Sequence, residues 1–128
     1  MKFKVPAKVL SPARLRKSFG YAINGLQILT SEEQNYIVHL IATAIVIILG
    51  FYYRISGLEW TMVILSIQIV LALETINTAI ENTVDFVSQE RSEIIKRIKD
   101  LSAASVLMAA MAALIIGLII FLPKIFPN

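Results

Sequence analysis

Three carboxylates and one amide share one face of a helix that continues directly out of an apolar segment. This polar stripe consists of Glu74, Asn77, Glu81 and Asp85. At 100° per residue the four side chains project within about 80° of one another. The preceding segment, Trp60–Leu73, carries no charge, and a carboxylate in hydrocarbon costs roughly 2.5–3.5 kcal/mol at a helix centre. The stripe therefore predicts a site whose carboxylates accept a proton or bind a cation.

Spacing along the helix axis divides the polar stripe into a deep and a shallow part. Glu74 and Glu81 are about 10.5 Å apart along the axis, which argues against one Mg²⁺ bound directly by both. Glu74 lies where a lipid hydroxyl would lie, and a carboxylate there can orient or deprotonate it. Glu81 lies nearer the water, where Mg²⁺ and nucleotide phosphates could approach. With Lys99 and Asp100 at the mouth of the last apolar segment, these groups suit phosphoryl transfer to a lipid alcohol.

The composition is that of a small integral membrane protein. Of the 128 residues, 57% are hydrophobic and 16% are charged, which is too apolar for a soluble domain of this size. The absence of cysteine excludes disulfides and thiolate chemistry, and the single His39 argues against a histidine-rich metal centre. The net charge is +3, and the first 29 residues carry six basic side chains and no acid. That segment predicts contact with anionic headgroups rather than nucleic acid.

The hydrophobic pattern predicts an all-α membrane protein that forms a single domain over residues 1–128. Apolar residues recur at three- and four-residue spacings after Ser11-Pro12, which predicts an amphipathic surface helix over residues 11–30. Three transmembrane helices are predicted at residues 33–53, 59–87 and 100–122. The second is longer than the roughly 30 Å hydrocarbon core, so its protruding end carries the polar stripe. No P-loop or glycine-rich dinucleotide loop occurs, so a nucleotide site must be assembled on helices.

Helix ends are marked by capping patterns and by proline. Ser56–Glu59 and Thr30–Glu33 both match a capping box. Glu33 therefore has two interpretations that stay open, a helix cap or a ligand. The segment Ser88–Ile98 is interpreted as a polar connection, and Pro123 as the end of the third transmembrane helix.

Basic residues are distributed unequally between the two sides of the predicted membrane. Six lie in the N-terminal segment and four in the connection before Asp100, whereas the other side has only Arg54 and Lys124. The positive-inside rule then places the N-terminus and the polar stripe in the cytoplasm and the C-terminus outside.

Further residues keep a fixed spacing relative to the polar stripe. On the second and third transmembrane helices they are Glu74, Asn77, Ala79, Ile80, Glu81, Asp85, Lys99, Asp100, Ala103, Ala104, Val106 and Leu107. Before them stand Arg14, Lys17, Gly20, Tyr21, Asn24, Gly25, Leu26, Glu33 and Asn35. In type, spacing and three-span layout the chain closely resembles the small prokaryotic integral-membrane diacylglycerol kinases and undecaprenol kinases, from about Arg14 to Phe121.

The resemblance implies a homotrimer in the bacterial cytoplasmic membrane, with composite active sites between subunits. The implied activity is ATP- and Mg²⁺-dependent phosphorylation of diacylglycerol or undecaprenol. Glu74 would be the catalytic base, and Glu33 and Glu81 would hold Mg²⁺ with ATP. The residues implied to contact the nucleotide or its phosphates are Arg14, Lys17, Asn77, Asp85, Glu90, Lys99 and Asp100.

The chain departs from the family pattern at Ile37, at Arg91-Ser92 and at Ile98. These departures leave open the lid over the nucleotide and the identity of the lipid. His39, in an Asn-x-x-x-His context, is more similar to the undecaprenol kinase branch.

Two other functions fit some of the same residues. A non-catalytic membrane scaffold would use the acids only for structural pairing with basic residues, and Lys99 would then be an interfacial lysine. A proton-conducting or transport subunit would need acids across the membrane. It is disfavoured because the acids cluster at one interface, and the middle of the second helix offers only Gln68.

Overall fold

The protein is all-α, as predicted. The computed structural model describes residues 11–88, 90 and 92–127. Its helices are α1 Pro12–Glu32, α2 Gln34–Tyr52, α3 Gly57–Val87 and α4 Glu93–Ile125. The last three are long and apolar enough to cross a membrane, and α1 precedes them. The basic residues Lys2, Lys4, Lys8 and Arg91, which contribute to the predicted orientation, lie outside the described residues.

Helix α1 forms a unit of its own. Its start is capped by Ser11, whose Oγ accepts a hydrogen bond from the Arg14 N–H at 3.2 Å. The helix runs through Glu32, so Thr30 lies inside it and donates its hydroxyl to two carbonyls one turn earlier. The predicted Thr30–Glu33 capping box is therefore wrong. Glu33 is the N-cap residue of α2, but its side chain makes no capping hydrogen bond.

Helix α4 begins earlier and ends later than the sequence indicated. The Ser92 hydroxyl accepts the Ile95 N–H at 3.2 Å, and the helix starts at Glu93. The polar segment up to Ile98 is thus mostly helix, because a solvated face can continue a helix beyond its apolar span. At the other end the helix runs to Ile125, so Pro123 lies in its last turn and does not end it.

Helices α3 and α4 form an antiparallel pair that is joined by an ion pair near each end. Lys99 Nζ is 2.6 Å from Asp85 Oδ1, and Lys124 Nζ is 3.1 Å from Glu59 Oε1. The two acids are 26 residues apart on α3 and the two lysines 25 apart on α4. The pairs therefore fix one register along the whole contact. Helix α3 also packs against α2, over a smaller area.

The hydrophobic core lies at one end of the three long helices. It consists of Ile55, Val63, Ile120 and Phe121, with Val46, Leu49, Tyr53, Trp60, Ile67 and Ile116 packed around them. The predicted Ser56–Glu59 capping box is present at the start of α3. This end of the molecule is opposite to the polar stripe along α3.

Gly50 allows the close approach of α2 and α3 in this core. A Cβ at Gly50 would lie 2.7 Å from the Trp60 ring and 3.2 Å from the Ile55 side chain. The Trp60 ring also contacts Phe51, with ring centroids 5.0 Å apart. The absence of a side chain at Gly50 is therefore what lets the indole pack against α2.

Candidate active site

The deep part of the polar stripe faces the interior of the helix packing, whereas Asp85 at its other end is exposed. Glu74 and Asn77 are only 3% and 7% exposed, and the neighbouring Thr78 is also buried. Val63 and Val70 are buried earlier along the same face of α3. Because burial of a polar group costs free energy unless the group is paired, these residues are not a solvated helix face.

Asn77 and Glu81 form a hydrogen-bonded pair one turn apart. Asn77 Nδ2 donates to Glu81 Oε1 at 3.3 Å. Asn77 Oδ1 is buried and has no hydrogen-bond partner among the described residues. The amide oxygen of Asn77 is therefore free to accept a further hydrogen bond or to bind a cation beside the half-buried Glu81 carboxylate.

The start of α2 contributes to the surroundings of Glu74. The charges of Glu33 and Glu81 act on the Glu74 carboxylate, and so does His39. Folding thus brings Glu33 within electrostatic range of Glu74, which is 41 residues away in the sequence. Among the described residues, no three acidic or histidine side chains are close enough to hold a metal ion by themselves.

A charged cleft of about 810 Å³ lies between the end of α3 and the start of α4. Its lining includes four of the residues implied to contact the nucleotide, namely Asp85, Glu90, Lys99 and Asp100. Lys99 is occupied by Asp85, with an Nζ–Oδ1 distance of 2.6 Å. Sequence reasoning did not find this ion pair, because nothing in the spacing of residues 85 and 99 indicates it.

An apolar groove of about 400 Å³ runs between α2, α3 and α4. One end is lined by His39, Val70 and Leu71, and the other by Phe121. Leu71 and Val70 lie about one turn before Glu74, so this end of the groove is about one helical turn from the buried carboxylate, which is not part of the lining. Its remaining lining is almost entirely aliphatic and includes Gly117.

The two remaining predicted site residues, Arg14 and Lys17, lie in the first turns of α1. Both are exposed. Their role as phosphate or headgroup contacts stays a prediction.

Two polar residues near the site were not assigned to it from the sequence. As a single histidine, His39 indicates no metal centre, and only its Asn-x-x-x-His context links it to the family. Ser102 is 8% exposed and its Oγ has no partner among the described residues. Its position three residues after Lys99 puts the two side chains on neighbouring parts of one helix face, a signal that was available in the sequence.

Three apolar helices with a buried carboxylate between an apolar groove and a charged cleft define a small multi-pass membrane protein with an enzyme-like site. The family model for prokaryotic diacylglycerol kinase matches residues 20–121. The chain therefore belongs to the prokaryotic diacylglycerol kinase family and is a lipid kinase.

Individual relatives carry two different names. An undecaprenol kinase of Bacillus subtilis is 39% identical over 112 residues, which cover 88% of this chain and 91% of the relative. A diacylglycerol kinase of Helicobacter pylori is 34% identical over 106 residues, or 83% of each chain. A diacylglycerol kinase of Escherichia coli is 28% identical over 102 residues, covering 80% of this chain and 84% of the relative.

Proposed function

We propose that the chain transfers the γ-phosphate of ATP, with Mg²⁺, to the hydroxyl of undecaprenol or diacylglycerol. The observation that carries the proposal is the position of Glu74. It is a buried carboxylate on α3 between the apolar groove at Leu71 and the charged cleft at Asp85. A lipid with its chain in the groove would present its hydroxyl to Glu74, and a nucleotide in the cleft would approach from the other side.

Glu74 acts on the lipid hydroxyl in this mechanism. Its carboxylate accepts a hydrogen bond from the hydroxyl and orients the oxygen toward the γ-phosphate for direct in-line transfer. As the new O–P bond forms, Glu74 takes the hydroxyl proton, and the bond between the γ-phosphorus and the bridging oxygen breaks to release ADP. A phosphorylated enzyme intermediate is not required. Because Glu74 is buried, water has little access to the carboxylate and is disfavoured as a competing acceptor.

Lys99 acts on the phosphate in this mechanism. Charge on the transferring phosphoryl group can be neutralised by a lysine near its oxygens. Lys99 is 34% exposed and its partner Asp85 is 61% exposed, and an ion pair at such a position contributes little to stability. Lys99 can therefore exchange Asp85 for a phosphate oxygen at small cost.

The carboxylates fit a Mg²⁺ ion that is completed by the nucleotide. Magnesium binds through one or two carboxylates plus phosphate oxygens rather than in an all-protein cage. Glu33 and Glu81 supply two carboxylates, and the unpartnered Asn77 Oδ1 is a further oxygen of the right kind. Glu33 and Glu81 would hold the ion, which would offset the charge of the phosphates.

The active assembly in our proposal is a homotrimer in the bacterial cytoplasmic membrane. Gln68 supports association, because this amide is exposed in the middle of α3. An amide exposed to hydrocarbon is stabilised by a partner on another helix. The number of three and the sharing of active sites between subunits come from the family resemblance.

The proposal is tested by assaying the purified protein in mixed micelles with Mg²⁺ and labelled ATP on each lipid separately. We expect phosphorylation of both classes to be measurable and undecaprenol to be the faster substrate, since the undecaprenol kinase has the higher identity of the relatives compared here. A short-chain soluble alcohol serves as the control. Absence of labelled product with both lipids would overturn the proposal.

A further inference from the structure

Ser102 differs from most other helical hydroxyls of the protein. Elsewhere the side chain donates to a carbonyl three or four residues earlier, as in Thr43, Thr61, Ser66, Thr75, Thr83 and Ser105. Ser102 Oγ is buried and makes no such bond, while Ser105 donates to the Ser102 carbonyl at 2.6 Å. A buried hydroxyl without a partner costs free energy, so its position calls for a ligand or a partner that is present only in another state.

The helix register places Ser102 opposite Glu81. Asp85 on α3 pairs with Lys99 on α4, and the two helices are antiparallel. Ser102 is three residues after Lys99 on α4. Because the helices are antiparallel, the corresponding position on α3 is three residues before Asp85, at Asn82. Glu81 is one residue away, about 1.5 Å along the axis, and lies on the face of α3 that carries the buried Thr78.

Glu81 still has acceptor capacity on the side of α4. A carboxylate accepts hydrogen bonds at both oxygens, and the bond from Asn77 uses Oε1. Across the α3–α4 contact, Ser102 contributes a donor at the level of Glu81. Asn77 Oδ1 and Ser102 Oγ are the two buried, unpartnered side-chain atoms found among the described residues; Asn77 is bonded to Glu81 through its other amide atom, and Ser102 lies at the level of Glu81 by the register.

We infer that Ser102 is a positioning residue for Glu81, and that its hydroxyl donates to the Glu81 carboxylate when the site binds Mg²⁺ and ATP. The inference rests on the proposed function. In the free protein the Ser102 hydroxyl has no partner, which costs free energy. In the protein that has bound Mg²⁺ and ATP, the hydroxyl forms a hydrogen bond with Glu81. Ser102 does not touch the nucleotide itself; it fixes the orientation of the Glu81 carboxylate, which would hold Mg²⁺.

The test compares Ser102→Ala with Ser105→Ala, a control on the same helix whose hydroxyl is already used internally. Ser102→Ala should raise KM for MgATP about tenfold, while kcat and KM for the lipid stay within about twofold. Calorimetric titration with MgATP should show the same tenfold loss of affinity, independently of turnover. The thermal midpoint should not fall, because the free protein loses only an unpartnered hydroxyl. Ser105→Ala should leave KM for MgATP unchanged.

A second comparison asks whether Ser102 acts through Glu81. Glu81→Asp keeps the charge but shortens the side chain, so Ser102→Ala added to it should weaken MgATP binding by less than about twofold further. A full tenfold additional loss, or unchanged MgATP affinity in the single variant, would overturn the inference. A wild-type protein that neither binds MgATP nor phosphorylates a lipid would instead refute the proposed function.

Discussion

Glu74 is a carboxylate with 3% of its surface exposed, and the ionisable groups that act on it are His39, Glu33 and Glu81, with no lysine or arginine among them. Structural pairing, as in a scaffold, would place a permanently charged lysine or arginine against a buried acid. In the described residues the two ion pairs are Asp85–Lys99 and Glu59–Lys124, and neither includes Glu74. Its surroundings therefore favour a chemical role over a structural one.

Replacement of Glu74 by Gln should slow the phosphoryl transfer step without weakening the binding of MgATP. The amide keeps the size of the side chain but cannot take a proton, so we expect kcat to fall by about 10²–10⁴-fold. Affinity for MgATP and the oligomeric state should stay close to wild type. The measurement is turnover with labelled ATP alongside calorimetric titration with MgATP.

Glu81→Gln is the matched control for this variant, because it lies on the same stripe and should show the opposite pattern. Its affinity for MgATP should fall, since one of the two proposed metal carboxylates is lost. Equal loss of nucleotide affinity in both variants would contradict the division of roles between Glu74 and Glu81.

At the scale of single residues, side-chain type and helical periodicity were enough to find Glu74, Asn77, Glu81 and Asp85. They were not enough to find pairings between helices. For Glu33, the extension of α1 through Glu32 excludes the predicted capping box, and its role as a ligand stays a prediction. Asp85 pairs with Lys99 on another helix, a contact that spacing along one helix does not indicate, and its role at the nucleotide also stays a prediction.

At the scale of elements, the α2–α3 contact depends on the absence of a side chain at Gly50. Gly50→Ala would place a methyl group 2.7 Å from the Trp60 ring. Overpacking of this kind costs about 1–3 kcal/mol, which exceeds the gain of up to about 1 kcal/mol from replacing glycine in a helix. We therefore expect a lower thermal midpoint in detergent, and the fluorescence of Trp60, the single tryptophan, reports this contact directly.

Gly117→Ala is the control for this prediction. Gly117 is also helical, but nothing lies within 4 Å of a Cβ built there. Its replacement should leave the midpoint unchanged or raise it. A similar loss of stability in both variants would mean that backbone flexibility, and not the Trp60 contact, is the reason for glycine at residue 50.

The helices themselves were predictable because a long apolar run or an amphipathic repeat determines a helix locally. The residues at which the helices begin and end were less predictable. The segment before Ile98 is polar and was interpreted as a connection, yet Ser92 caps a helix that includes it. Polarity alone does not distinguish a loop from the solvated turns of a helix. Here the hydrogen bond from the Ile95 N–H to the Ser92 hydroxyl marks the start of the helix.

At the scale of the whole molecule, the charge distribution predicts one orientation in the membrane. The sequence has no cysteine, so single cysteines can be introduced at Ser92 and Phe126, both exposed and at opposite ends of α4. In intact cells a membrane-impermeant maleimide should label the Phe126→Cys variant and leave the Ser92→Cys variant unlabelled until the membrane is opened. The reverse pattern would contradict the predicted orientation.

The core of Ile55, Val63, Ile120 and Phe121 lies at the end of the helices away from the acids. The acids and the core are thus formed by different residues, and Phe121 joins the core to the far end of the groove that it also lines. A lineage can alter the lining of the groove near His39 or the cleft near Lys99 while the packing around Trp60 keeps the helices together. If our proposed lipid site is correct, we expect this arrangement to let one scaffold change its preferred alcohol in small mutational steps, and relatives of this chain do carry the names of two different lipids.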